Sequence, residues 1–219
     1  MTRRDQPGSP SATSKPASRR APRGSISRPQ IIEAALKAVT TTGFERMTIR
    51  SLASELGVAP MSLYRYILDK DDLLDEVVDE LLWRSQPIPP RSGSWQSRIT
   101  TAADGLRHLL ETEPAALYVY LRHPVVSPAA IRRMEMMLHI LRDAGFDEAS
   151  AREAYAAIQT YTIGFAALAA SRATWVPKDD AGQVAVELAT FTSPRQFARG
   201  LRYLLEGMEH EARATRRDA

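Results

Sequence analysis

The chain has no cysteine in its 219 residues, which excludes disulfides, thiolate nucleophiles, zinc ribbons and iron–sulfur ligation by protein sulfur. It has no apolar run approaching the ~18 residues of a membrane span. Its first residues also carry no apolar segment of signal-peptide type. The expectation is a cytoplasmic protein with no membrane partner. The four histidines, His108, His123, His139 and His210, form no H-x-x-x-H or H-E-x-x-H pair, so no metal site is expected. There is no glycine-rich phosphate loop and no G-x-S-x-G. Glu111 and Glu113 are too close in sequence to share a helix face as a carboxylate pair. An enzyme is therefore the weaker rival class, with neither a catalytic residue nor a cofactor expected. No stretch alternates with period two for long enough to suggest a sheet, and no internal repeat is visible.

What is present is charge, unevenly placed around a net +3. Residues 1–28 carry Arg3, Arg4, Lys15, Arg19, Arg20, Arg23 and Arg28 against one acid, Asp5. Residues 71–80 reverse this with Asp71, Asp72, Asp75, Glu76, Asp79 and Glu80. Residues 1–26 are rich in Ser, Pro, Arg and Ala with almost no large apolar side chain, and read as a disordered basic tail. Such a tail either contacts a polyanion or is simply solvated.

Order is predicted to begin at Ser27, which has with Gln30 the S-x-x-Q spacing of a capping box; Pro29 is tolerated in a first turn. Ile32, Ala35, Leu36 and Val39 follow at helical spacing, and Gly43 ends that helix. Thr48 is a good N-cap for a second helix carrying Leu52, Ala53 and Leu56. After Gly57, Pro60 opens a short helix over roughly 60–67. Asp69 caps a fourth, whose Leu73, Leu74, Val77, Val78, Leu81 and Leu82 form one stripe. Its acids are expected on the solvent face. Pro87, Pro89, Pro90, Ser92, Gly93 and Ser94 make a breaker-rich hinge, taken as the domain boundary. Beyond it, helices are predicted at 94–111, 114–122, 127–144, 147–172 and 194–212, with a less regular 173–193.

The stretch Met47 to Lys70 joins two short helices through Gly57-Val58-Ala59, with Leu52, Leu56, Val58, Leu63 and Ile67 turned inward. That spacing lets the first helix pack across the second and leaves the second free to enter a major groove. Pro60, Met61, Ser62, Tyr64, Arg65 and Tyr66 are candidates for base edges; Thr48, Arg50, Tyr66 and Lys70 for phosphates. Tyr64 and Tyr66 either meet DNA or pack, and Thr48 is a cap, a phosphate contact or both. With only Arg50, Arg65 and Lys70 as cations here, against Glu55 and Asp69, one copy binds phosphate modestly.

Residues 28–84 resemble the DNA-binding domain of the TetR family. The resemblance is carried by Gly43-Phe44, Met47-Thr48-Ile49-Arg50, Leu52-Ala53, Leu56-Gly57-Val58, Leu63-Tyr64-Arg65-Tyr66 and Lys70, in order and at the right spacing. It implies that Arg50, Met61, Ser62, Tyr64, Tyr66 and Lys70 lie where family members meet DNA. Ser94-Trp95-Gln96-Ser97 and Leu141-Arg142-Asp143-Ala144-Gly145-Phe146 resemble the carboxy-terminal domain of the tetracycline-repressor type, which dimerises through a four-helix bundle. Ala151, Ala154, Ala157, Gly164, Ala167 and Ala170 would allow close helix approach. Phe197, Leu201, Leu204, Leu205 and Met208 offer either a dimer face or intramolecular core.

The expected fold is thus all-α. A three-helix helix-turn-helix DNA-binding domain spans 27–86, and a helical ligand-binding and dimerisation domain spans 94–212. The expected function is a homodimeric repressor of a palindromic double-stranded DNA operator, released by a small-molecule effector; a constitutive DNA-binding protein is the alternative. Effector candidates are His108, Tyr118, Tyr120, His123, Met134, Met137, Tyr155, Gln159, Thr162 and Phe165, a minority of which would line a ligand. Tyr120 stands at the position of the metal-binding histidine of the tetracycline repressors, and Met137 at that of a glutamine contact. Both departures argue against a magnesium–tetracycline effector and for a more apolar, aromatic one.

Overall fold

The computed structural model describes residues 26–85, 89, 91–173, 182–184, 187 and 191–218, with side chains to 212. The predicted basic tail, apart from Ile26, and most of the irregular 173–193 stretch lie outside the described residues. Within them the chain forms nine helices and no strand: α1 (Arg28–Thr42), α2 (Ile49–Glu55), α3 (Pro60–Leu63), α4 (Lys70–Ser85), α5 (Trp95–Thr112), α6 (Pro114–Arg122), α7 (Pro128–Asp143), α8 (Glu148–Ala173) and α9 (Pro194–Asp218).

The starts and stops have local causes. Gln30 Oε1 accepts the Ser27 backbone N–H at 2.9 Å, as the capping-box spacing predicts. Asp69 Oδ1 accepts from Asp72 N at 2.9 Å while Asp72 Oδ2 accepts from Leu68 N at 2.8 Å, a reciprocal cap that starts α4. At the end of α7 the Phe146 N–H returns to the Leu141 carbonyl at 3.2 Å, and the Phe146 ring meets Trp95 edge-on at 5.3 Å.

Three details differ from the sequence reading. Ile26, placed in the tail, is buried, and Ile31 rather than Ile32 supplies the core position at the start of α1. The short helix stops at Leu63 instead of continuing to 67. There the Leu63 carbonyl accepts from both Tyr66 N (2.8 Å) and Ile67 N (3.2 Å), tightening the chain into a turn.

Two apolar cores result. The first contains the inner faces of α1 to α4 and continues without a break into Leu106, Leu109 and Leu110 of α5, Ala115, Ala116, Leu117 and Val119 of α6 and Ala129 and Ala130 of α7. The second joins α5, α7, α8 and α9 around Met137, Ile140, Ile158, Phe165 and Phe197. All six predicted stripe residues of α4 are buried. Burying them on one side against α1 and on the other against α5, α6 and α7 makes α4 the mechanical link between the two halves.

The acids of α4 do not simply face solvent, which corrects the sequence expectation. Asp71 pairs with Arg122 at 2.7 Å, Asp75 lies 3.4 Å from His123, and Asp79 Oδ1 accepts the backbone N–H of Ala129 at 2.8 Å. The run is drawn to the basic carboxyl end of α6 and to the N–H groups at the start of α7, where the helix dipole favours an anion. Replacing Asp79 by alanine should orphan the Ala129 N–H and lower stability by about 1–2 kcal/mol in urea unfolding. A change under about 0.5 kcal/mol would show that water replaces the carboxylate at no cost.

Candidate nucleic-acid interface and effector site

Gly57 makes the turn between α2 and α3 possible: its φ of +67° is strained for a residue with a Cβ, and its N–H bonds the Ser54 carbonyl at 3.2 Å. The next N–H, of Val58, closes on Ala53 O at 3.0 Å. The chain thus reverses so that α2 and α3 pack on each other through Leu52 and Leu63, both fully buried.

With Leu63 as the sole buried residue of α3, the rest of that turn faces outward. Met61 is 73% exposed and Tyr64 48%; Pro60 and Arg65 are exposed, and Ser62 is half-buried. Arg50 is exposed near the start of α2. Thr48 is exposed too, and its Oγ1 accepts the Ser51 N–H at 3.0 Å, so it is a cap in fact as in expectation. Tyr66 is half-buried against the first core. Lys70 reaches back to the Glu45 carbonyl at 3.4 Å from the first turn of α4. Leu68, which sequence reasoning missed, is 82% exposed between the turn and α4. It stands outside the α4 stripe, directly before the Asp69 cap, and that was its only signal.

The ten effector candidates divide. His108 is exposed on α5. Tyr118 packs its ring on Phe44 at 4.8 Å, with Arg122 over its face, and so lies in the seam between the halves. His123 is exposed beside Asp75. Met137, Thr162 and Phe165 are buried in the second core; the Thr162 hydroxyl bonds its own helix at Ile158 O, 2.8 Å, and Phe165 meets Tyr161 and Phe197. Tyr120, Met134, Tyr155 and Gln159 are half-buried on three helices, α6, α7 and α8. Burial pushes the Tyr120 phenol up to about 12 and raises that of Tyr155, so both are neutral donors at ordinary pH.

Their shared electrostatic neighbour is Arg133, absent from the sequence list. It is 5% exposed, donates to the Ala102 carbonyl, and its charge bears on both phenols. The signal was available: Ala130, Arg133, Met137 and Leu141 fall on one helical face, so a cation stands in an apolar row. Of the candidates, Tyr120 and Tyr155 therefore share the electrostatic influence of one buried guanidinium.

On α8, Ala151 and Ala154 are buried inside the chain, whereas Gly164 and Ala170 are exposed beside Leu168, which is 52% exposed. On α9, Phe197, Leu201 and Leu205 belong to the chain's own second core, the alternative the sequence left open. Tyr203, 57% exposed, points away from it. Two clefts open along α8. One, of about 390 Å³, lies among Phe146, Ala154, Ala157, Met208 and Ala212; the other, of about 330 Å³, lies among Glu111, Ala169, Arg172 and Thr192. None of the ten effector candidates lines either.

Among the described residues no helix is long and apolar enough to cross a membrane. No group of three or more His, Asp or Glu is placed to hold a metal.

Comparison with known proteins agrees with this geometry. Residues 31–77 match the model of bacterial regulatory proteins of the tetR family, and residues 86–212 the model of the tetracyclin repressor-like C-terminal domain. The HTH-type transcriptional repressor DrrR1 of Streptomyces coeruleorubidus is 30% identical over 148 residues, 67% of this chain; the chain spans 55% of that repressor's length. The tetracycline repressor protein class C of Escherichia coli is 26% identical over 186 residues, 83% of each chain. Among solved structures, the TetR family protein ActR of Streptomyces coelicolor in complex with actinorhodin superposes with a TM-score of 0.68 at 20% identity, covering 86% of this chain and 99% of that one. With both halves matched in tandem, and the second match alone covering more than half its length, this chain belongs to the TetR family of bacterial transcriptional regulators.

Proposed function

We propose that this protein is a homodimeric transcriptional repressor that grips a palindromic operator through two copies of α3 and lets go when a small molecule binds between α4 and α8. It is a regulator without catalytic activity and works in the cytoplasm, where its DNA is. Residues 27–86 would form the DNA-reading unit and 94–212 the effector and dimerisation unit. The observation that carries this reading is α3 itself: one buried leucine fixes it, and Pro60, Met61, Ser62 and Tyr64 are left to meet base edges. Thr48, Arg50, Tyr66 and Lys70 flank them as phosphate contacts.

Dimerisation would use the outer surface of α8 and α9 around Gly164, Leu168, Ala170 and Tyr203, where small residues admit another helix and large apolar ones need cover. A two-fold axis there would present the recognition turns about one helical turn of DNA apart. The curated relatives named repressors support repression. The effector is taken to be largely apolar and aromatic, since Tyr120 and Met137 replace metal- and amide-type contacts. Because α4 is buried against both halves, an effector favouring one arrangement of α5 to α7 would move α3 with it.

The test is selection of bound duplexes from a random pool, followed by two substitutions. Tyr64→Ala and Lys70→Ala should each weaken operator binding about tenfold, the size of one or two lost contacts. Only Tyr64→Ala should change the recovered sequence. Equal losses on operator and random DNA for both variants, or a monomer with no preferred duplex, would overturn the reading.

A further inference from the structure

At the end of α6, both ring nitrogens of His123 face oxygen atoms. Nδ1 lies 3.2 Å from the Pro124 carbonyl, and Nε2 lies 3.4 Å from Oδ1 of Asp75 on α4. A carbonyl only accepts, so in a neutral ring Nδ1 must carry the single proton. Nε2 would then turn its lone pair toward a carboxylate oxygen. Both contacts are satisfied together only when the pair holds one more proton, on the ring as imidazolium or on the carboxyl.

The oxygen concerned is a costly one to leave facing a lone pair. Asp75 Oδ1 is buried and receives no hydrogen bond among the described residues. Burial pushes the Asp75 carboxyl up from its ordinary value; His123 opposes that shift, Asp72 and Asp71 on the same helix add to it, and Arg122 opposes it. The other charges around it are engaged. Arg122 pairs with Asp71 at 2.7 Å and bonds the Tyr118 hydroxyl, Asp72 accepts from Leu68 N at 2.8 Å, and Arg28 of α1 bonds Glu76 at 3.1 Å. From α7, Arg132 lies over the Trp83 ring, about two turns further along α4; α5 brings Leu106, Leu109 and Leu110 to the shared core. The contact also joins the two halves, because Asp75 is in the second turn of α4, whose first turn carries Lys70.

We propose that His123 and Asp75 form a proton-operated latch between the effector half and the DNA-reading half, closed when the pair holds its extra proton and slack when it does not. Closed, it fixes the start of α4 in one pose, so operator binding has less freedom to remove. Slack, it lets α4, and Lys70 with it, range more widely. The stability contributed by the latch is therefore present on the acid side and lost as pH rises through the range, about pH 5 to 8, in which an imidazole ordinarily gives up its charge. Operator affinity falls in the same direction. That consequence for DNA rests on the reading of the protein as a repressor; the latch itself does not.

The experiment is a double-mutant cycle on the full chain with His123→Gln and Asp75→Asn, read by urea unfolding at one protein concentration, at about pH 6 and about pH 8. At the lower pH the pair should show a coupling of at least about threefold in the unfolding equilibrium constant, as a half-exposed ion pair allows. At the higher pH the coupling should vanish. No coupling at the lower pH, or the same coupling at both, overturns the proposal. The side chains of His123 and Asp75 are 41% and 43% exposed, so both variants should fold. If Asp75→Asn does not, wild type against His123→Gln decides: wild type should lose more stability between the two pH values. The second arm uses the duplex recovered by selection, at fixed ionic strength. The ratio of operator affinity at the lower pH to that at the higher should be at least about threefold larger in wild type than in His123→Gln. An equal or smaller ratio overturns the proposal, since the junction would then have no bearing on DNA. If no duplex is selected, the repressor reading fails and the cycle alone decides the latch.

Discussion

Replacing Leu63 by alanine is expected to lower the stability of the protein by about 2–5 kcal/mol, the range for deleting a fully buried leucine whose site cannot collapse. Leu63 is 0% exposed and is the sole anchor of a four-residue helix. A helix of one turn has no stability of its own in water, so its existence and its aim both depend on that contact. Two backbone bonds run to the Leu63 carbonyl, from Tyr66 and Ile67, and both lose their fixed point if the side chain no longer seats in the core. Urea unfolding followed by circular dichroism checks the stability. The comparison variant is Met61→Ala, 73% exposed on the same turn, which should change stability by under about 0.5 kcal/mol. If the two variants are equally stable, the turn is not held as described. Operator affinity, measured where Leu63→Ala is still folded, should fall although Leu63 itself is sealed from DNA.

Gly200→Ala should destabilise the junction of α8 and α9 by about 1–3 kcal/mol, against the usual sign for a glycine inside a helix. Helix propensity alone would favour alanine by about 1 kcal/mol. The geometry opposes it more strongly: a Cβ on Gly200 would stand 2.2 Å from Tyr161 Oη and 2.9 Å from Cζ. The ring cannot swing aside freely. It is stacked on Phe197 with centroids 5.2 Å apart, and its hydroxyl donates to the Phe197 carbonyl at 3.0 Å. Making room forfeits the stacking, about 0.5–1.5 kcal/mol, and the hydrogen bond, about 1 kcal/mol. Thermal melts check the sign. A melting temperature at or above wild type would mean the ring yields easily. The double variant Gly200→Ala with Tyr161→Ala should lose less than the sum of its parts, because only one of the two groups can need the space.

How much was legible in advance follows from where each kind of information resides. Helix positions depend on neighbours in sequence, and there the reading was close: α6 spans 114–122 as predicted, and α5, α7 and α8 differ by a residue at either end. The turn chemistry at Gly57, the Thr48 cap and the exposed face of α3 were equally local. Ile31 replaced Ile32 because two adjacent isoleucines present one helical stripe with a choice that only the partner helix α4 makes. The placement of the α4 acids was misread because a run of charge implies water until something basic is known to lie beside it. Arg122, His123 and the start of α7 are 48 to 51 positions away, too far for any periodicity to register.

The effector candidates show the same division. Tyr120 and Tyr155 were named for their chemistry, but which candidates meet was not written in any spacing. Tyr118, two residues before Tyr120, turns to Phe44, while Tyr120 is half-buried and feels the charge of Arg133. Likewise the apolar face of α9 could be assigned to a dimer or to the chain's own core until packing gave Phe197, Leu201 and Leu205 to the latter. By itself, the sequence determined an all-helical chain with a helix-turn-helix near its start, since caps, turns and helical periods act over a few residues. Tertiary structure alone decided that an arginine is buried on α7 and that the acids of α4 join the two halves, because both follow from the packing of helices whose mutual distance no local pattern encodes.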